Sequence, residues 1–149
     1  MKIPDRALNG RECKMIDFPY FPDDEINTFS PLSLAYVGDA VYEVYIRSYV
    51  MKNGNMPVNK LHRVATHYVS AKAQSAIVHS IMEHLTEEEI AVFKRGRNAH
   101  SYTSAKNADI VDYRHATGFE ALIGYLFILK KFDRLNEIIK MSVDAVAIE

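Results

Sequence analysis

Two stretches of this sequence have the pattern of helices that are apolar almost all round, and each carries a carboxylate. The first is LSLAYVGDAVYEVYIRSYV, residues 32–50, with Asp39 and Glu43 inside it. The second is FEALIGYLFIL, residues 119–129, in which Glu120 is the only charged side chain. A helix without a wide polar face belongs at the centre of a bundle rather than on its surface. A carboxylate there needs a partner, because an unpaired charge in apolar surroundings is very unfavourable. For Glu120 that partner is a basic side chain or a metal ion. Asp39, Glu43 and Arg47 recur every four residues and share one helix stripe, which predicts a Glu43–Arg47 salt bridge beside a partly exposed Asp39. Gly38 and Gly124 lie inside the two runs, where a glycine costs up to ~1 kcal/mol against alanine. Close approach of a neighbouring backbone or a ligand would offset that cost. The sequence does not by itself bring Asp39 and Glu120 together. If they meet, two carboxylates without a histidine or cysteine favour a hard cation such as Mg2+.

The other local signals are helical too. Ser30-Pro31 supplies an N-cap and a first-turn proline for a helix to about Lys52, stopped by Asn53-Gly54-Asn55. Pro57 opens the next, through about His67, and Ser70 caps another, to about His84. Thr86 with Glu89 forms a capping box for a helix through about Asn98. Residues 99–107 read as a polar loop. Helix resumes near Ala108, with a break expected around Arg114 to Gly118, and an apolar helix follows to Lys130. Asp133 is placed to cap a last helix ending near Ala147. Residues 1–29, with Pro4, Pro19 and Pro22, read as an irregular arm or short extension. No stretch shows strand alternation, so the class is all-α.

A length of 149 residues is that of one ordinary domain. Cys13, the only cysteine, can form neither an internal disulfide nor a zinc cage, which fits a reducing, cytoplasmic setting. No apolar run approaches the ~20 residues of a membrane span, and the N-terminus lacks the apolar core of a secretory signal. The formal charge of -1 argues against a diffusely basic nucleic-acid binder. That average hides segregation. Residues 44–82 contain no acid but hold Arg47, Lys52, Lys60, Arg63 and Lys72. A second basic cluster holds Lys94, Arg95, Arg97, Lys106 and Arg114, with Asp109 and Asp112 as helix-start acids. These are solvated helix faces or a surface for a polyanion. The histidine spacings, His62/His67 and His79/His84, suit no metal motif. Tyr36, Tyr42, Tyr45 and Tyr49 read as core and interface aromatics.

Four segments in order resemble a known family. LAYVGDAVYE, LHRVATHYVS, FKRGRN and FEALIGYLF are similar to successive motifs of the ribonuclease III family, over about residues 30–130. The short length and the sequence KRGRNA resemble its Mini-ribonuclease III branch, whose members lack a separate double-stranded-RNA-binding domain. The resemblance implies a homodimeric, all-α endonuclease domain over residues 30–149. It implies a double-stranded RNA substrate, the precursor of 23S ribosomal RNA, with Mg2+ (or Mn2+ in its place) as cofactor and a ribosomal protein as a possible accessory. Of the family's four metal acids, Asp39 and Glu120 match. Leu32, Ala35 and Thr117 stand at acidic positions of the family's pattern, and Ala71 stands where the family has an interface glutamate.

Carried over residue by residue, the resemblance makes Asp39 and Glu120 the catalytic metal ligands. Thr117, one turn before Glu120, is a candidate to bond a metal-bound water or, more simply, its own helix carbonyl. RNA contacts are expected from Arg95, Arg97, Asn98, His100, Ser101 and Tyr102, and secondarily from Lys72, Lys106 and Arg114. A-form RNA is contacted mainly through phosphates and 2′-hydroxyls, which suits such side chains. Two other classes stay open on the residues alone. One is a catalytically weak or inactive helical RNA-binding ribosome-assembly factor. The other is a helical homodimeric interaction protein without an RNA partner.

Overall fold

The computed structural model describes residue 21, residues 23–99 and residues 109–146. The described residues form helices α1 (Asp23–Ile26), α2 (Pro31–Met51), α3 (Val58–Val69), α4 (Ala71–Ile81), α5 (Glu87–Asn98), α6 (Ile110–Ile128) and α7 (Phe132–Ala145). A 3-10 turn, Met82–His84, follows α4. Among the described residues there is no strand, as the all-α reading expects.

The helix ends obey the local chemistry. Ser30 Oγ accepts the Leu32 N–H at 3.2 Å, and Ser70 Oγ accepts the Ala73 N–H at 3.2 Å. Thr86 and Glu89 make the reciprocal capping box. Gly54, at φ 132°, takes a backbone conformation that L side chains rarely adopt, in the turn after α2. Pro57 is the cap of α3 rather than its first helical residue. Asp133 does not cap α7: Lys131 holds that position and Asp133 lies in the first turn, where its charge still favours the helix dipole. Within the expected N-terminal arm, α1 adds a single turn that buries Ile26.

The expected break between Arg114 and Gly118 is absent, and α6 runs unbroken from Ile110 to Ile128. The reason is tertiary. Gly118 faces α5, where an added Cβ would lie 2.6 Å from the Phe93 carbonyl oxygen. Gly96 of α5 answers it, with a Cβ there falling 2.8 Å from Ala121 Cβ. The glycine thus serves a helix–helix contact, and that packing offsets its poor helix propensity.

The core centres on α2 and α6, with α3, α4, α5 and α7 around them. Tyr42 and Phe119 meet edge to face, with centroids 5.1 Å apart, and the Tyr42 hydroxyl donates to the Tyr68 carbonyl at 2.9 Å. The tightest contact is a backbone one. A Cβ on Gly38 would sit 1.7 Å from the Glu120 carbonyl oxygen, and one on Gly124 would sit 1.9 Å from the Leu34 carbonyl oxygen. The two glycines let α2 and α6 touch backbone to backbone, as the cost of glycine inside apolar helices foretells. No described helix is long and apolar enough to cross a membrane.

Candidate active site

The crossing of α2 and α6 decides where the two acids go. Gly38 lies against the backbone of Glu120 itself, so Asp39, the next residue of α2, is delivered to the turn that carries Glu120. Asp39 opens to solvent, and Glu120 lies deeper. Each carboxyl is harder to ionise than usual. Burial and the neighbouring Glu43 raise Asp39. Burial first, then the negative charges of Asp39 and Glu43, push Glu120 up to about 7, against an opposing contribution from the Gln74 side chain. Repulsion between neighbouring carboxylates and loss of water are the two general causes of such a rise.

Among the described residues neither acid forms an ion pair with a basic side chain. Glu43 is engaged elsewhere: Arg47 Nε donates to its Oε2 at 2.9 Å, the expected i, i+4 bridge. The described residues contain no cluster of three or more histidine, cysteine or acidic side chains able to enclose a metal. The candidate donors are the neighbouring carboxylates of Asp39 and Glu120. This fits a hard cation that keeps several waters and takes further oxygens from a phosphate substrate. A divalent charge would also reverse the effect that raises both acids.

Thr117 lies one turn before Glu120, and its hydroxyl donates to the Tyr113 carbonyl at 3.0 Å, the local bond usual for a helical threonine. The expected RNA contacts fall in three places. Arg95, Arg97 and Asn98 end α5, whose Gly96 packs beside Thr117, Gly118 and Ala121. This sets the basic end of α5 at the level of Glu120 on α6. The Arg97 guanidinium lies over the Phe93 ring, 5.8 Å from its centroid, and its Nε donates to Asn98 Oδ1 at 3.1 Å. Lys72 is exposed in the first turn of α4, and Arg114 is exposed near the start of α6. His100, Ser101, Tyr102 and Lys106, like most of the loop expected over 99–107, lie outside the described residues.

The residue that sequence reasoning missed is Gln74. It is 1% exposed and its side chain acts on Glu120. A signal was present, since Gln74 stands on the apolar stripe of α4 with Ile77, Val78 and Ile81.

Residues 32–131 match the model of the Ribonuclease III domain. The chain belongs to the ribonuclease III family, and is an endoribonuclease, a hydrolase of RNA phosphodiester bonds. Among named relatives it is similar to the Mini-ribonuclease 3 of Clostridium tetani, 53% identical over 83% of each chain. It is 55% identical to the Mini-ribonuclease 3 of Enterococcus faecalis over 77% of this chain and 89% of that one. A crystal structure of a Fusobacterium nucleatum protein has a similar fold, with a TM-score of 0.70 and 33% identity over 80% of this chain and 95% of that one.

Proposed function

We propose that the protein cleaves double-stranded RNA with a divalent cation, Mg2+ in the first place, held by Asp39 and Glu120, and that its substrate is the precursor of 23S ribosomal RNA. One observation carries this reading: the glycine contact sets two unpaired, mutually repelling carboxylates side by side at the α2–α6 crossing. A divalent cation bound there neutralises charge on the scissile phosphate and lowers the pKa of a water. Asp39 is the more accessible acid and would hold the cation on the open side. Glu120, the more buried acid, would be the second ligand. Arg95 and Arg97 at the end of α5, with the exposed Lys72 and Arg114, supply phosphate contacts. Thr117, with its proton given to Tyr113, keeps an acceptor lone pair for a water of the site.

The same reading takes a homodimer as the working unit. Its support is apolar surface left exposed on α2 and at the start of α3: Tyr36 at 83%, with Val44, Met51 and Val58. A two-fold pair burying that face places two sites against one duplex, one for each strand.

The deciding assay incubates the protein with long duplex RNA and Mg2+ beside Asp39→Asn and Glu120→Gln variants. Cleavage by the wild type that both variants lose upholds the proposal. Binding without cleavage assigns the protein to the inactive RNA-binding class. Neither binding nor cleavage removes duplex RNA as its substrate. A precursor 23S stem tried in parallel shows whether cuts fall at defined positions on both strands.

A further inference from the structure

The fold makes one histidine contact that no spacing in the sequence announces. His79 of α4 and His115 of α6 meet with ring centroids 4.6 Å apart and planes inclined at 63°. His115 also stacks on Phe93 of α5, with centroids 6.0 Å apart. His79 is exposed and His115 half-buried, so the pair lies at the solvent edge of the α4–α6 contact. His79 Nδ1 lies 2.7 Å from the Ser75 carbonyl oxygen. A carbonyl only accepts, so Nδ1 carries the proton and donates it, and Nε2 of the neutral ring keeps its lone pair. His115 Nδ1 is buried and has no hydrogen-bond partner among the described residues.

Aromatic packing alone does not call for histidine at both places. Phenylalanine would fill either position without shutting a ring nitrogen away from every partner. A buried polar atom with no protein partner is one sign of a group bound from outside the chain. The spacing suits a metal ion. An ion ~2.0–2.1 Å from one nitrogen of each ring, at a tetrahedral angle, sets the ring centres about 5 Å apart. The observed separation is close to that, and a small turn of the exposed His79 ring makes up the difference. The Ser75 carbonyl holds the N–H of His79 that faces away from such an ion, as backbone carbonyls do for metal-bound imidazoles, and so fixes the ring's tautomer and aim. No acid lies in α4, and no third histidine, cysteine or carboxylate among the described residues completes a cage, so water fills the other positions.

We propose that His79 and His115 form a two-imidazole site for a transition ion of the Zn2+ class, bound by His79 Nε2 and His115 Nδ1 and bridging α4 to α6. Imidazole suits Zn2+, Cu2+ and Ni2+, whereas Mg2+ takes oxygen ligands, so the site differs in chemistry from Asp39 and Glu120. It differs in place as well, since His115 precedes Glu120 by more than a turn of α6. A bound ion pins α4 to α6 beside Phe93, the ring that lies under the Arg97 guanidinium. Occupancy is therefore felt at the basic end of α5.

The test follows urea unfolding of the full chain with and without Zn2+, in excess Mg2+. An ion that binds only the folded protein raises the folded-to-unfolded ratio about a hundredfold when present at about a hundred times its dissociation constant. The wild type should show such a rise. His79→Gln and His115→Gln should each lose it, while His62→Gln and the double variant Asp39→Asn, Glu120→Gln should keep it. As a second reading, one equivalent of Cu2+ should give an EPR spectrum with coupling to two imidazole nitrogens in the wild type, and to fewer in His79→Gln. A wild type that does not respond to Zn2+ overturns the proposal. So does a response that survives either substitution at His79 or His115, or one that disappears with the two acids or with His62. Because His79 is exposed, His79→Gln keeps the fold and decides the matter if His115→Gln does not fold.

Discussion

Two glutamates are drawn into this fold on neighbouring helices, α5 and α6, and the fold treats them in opposite ways. Glu89, in the first turn of α5, is buried and fully satisfied. Arg134 of α7 reaches it with Nε at 2.9 Å and Nη2 at 2.8 Å, and the Thr86 N–H donates to it at 2.9 Å. Those bonds outweigh burial and hold its carboxyl below the ordinary range. Glu120, in α6, meets burial and the charges of Asp39 and Glu43, with only the Gln74 amide on its side. Burial acts on both; what differs is whether a cation is built in. A carboxylate with its own arginine is a clamp between helices. One left without a counter-charge beside a second acid is a place for a charge that comes from outside.

The contrast is open to experiment, and activity should separate the pair most. Asp39→Asn and Glu120→Gln should each lower cleavage by about a thousandfold or more, several kcal/mol of transition-state stabilisation. Glu89→Gln should cleave normally at temperatures where it is folded. Equal losses in initial rate for all three variants would erase the distinction.

The next effect is on the contact that creates the site. Gly38→Ala forces a Cβ to within 1.7 Å of the Glu120 carbonyl oxygen. Because backbone must move, the loss should be about 3 kcal/mol or more in urea unfolding. Cation binding should suffer with it, since the same contact delivers Asp39.

Of comparable size is the clamp. Arg134→Met leaves Glu89 buried without its cation and should lower stability by about 3 kcal/mol at pH 7. Arg134 also donates to Glu137 and to the His84 carbonyl, so the variant should loosen the start of α7 first in hydrogen exchange.

The pH dependence should run in opposite directions. Glu120 holds its proton to about 7 when folded, above its ordinary 4.5. Its contribution is fully present below that ordinary value and is lost as pH rises toward 7. In chelator, wild-type stability should therefore fall by on the order of 2–3 kcal/mol between pH 5 and 8 on its account. Glu120→Gln should abolish that fall, and adding Mg2+ at pH 8 should offset it. Glu89, held low by Arg134, gives stability that is present at neutral pH and lost as pH drops through its folded value. Thermal melts of the two Gln variants across pH measure both signs.

The smallest effect lies at the surface. Arg95→Gln with Arg97→Gln should leave stability and cation binding unchanged while weakening duplex RNA binding. The slope of log affinity against log salt should flatten by about 1.5–2, as for two lost phosphate contacts. An unchanged slope would move the RNA path away from the end of α5.

Much of this was legible in the sequence, and particular residues show why. The caps Ser30, Ser70 and the Thr86–Glu89 box fix helix starts because they are bonds between neighbours in the chain. Glu43 and Arg47 pair for the same reason. Asp39 and Glu120 stood out because a carboxylate in an apolar helix needs an explanation wherever that helix goes. Gly38 and Gly124 announced close contacts, but not with what. The break expected near Gly118 failed because a glycine inside a helix reads the same whether it ends the helix or receives a neighbour. Phe93, distant in sequence, decides between them. Gln74 was passed over since its Glu120 contact joins different helices. The sequence by itself thus determined most of the helices, the caps at Ser30, Ser70 and Thr86, and the two acids that have no local partner, all of which depend on bonds within a few residues or on solvation. Only the tertiary structure decided that those acids meet, that Glu89 is neutralised from α7 and that Glu120 is not. Those outcomes depend on distances across the fold, and they came from two glycines that let backbones touch and from where one arginine could reach.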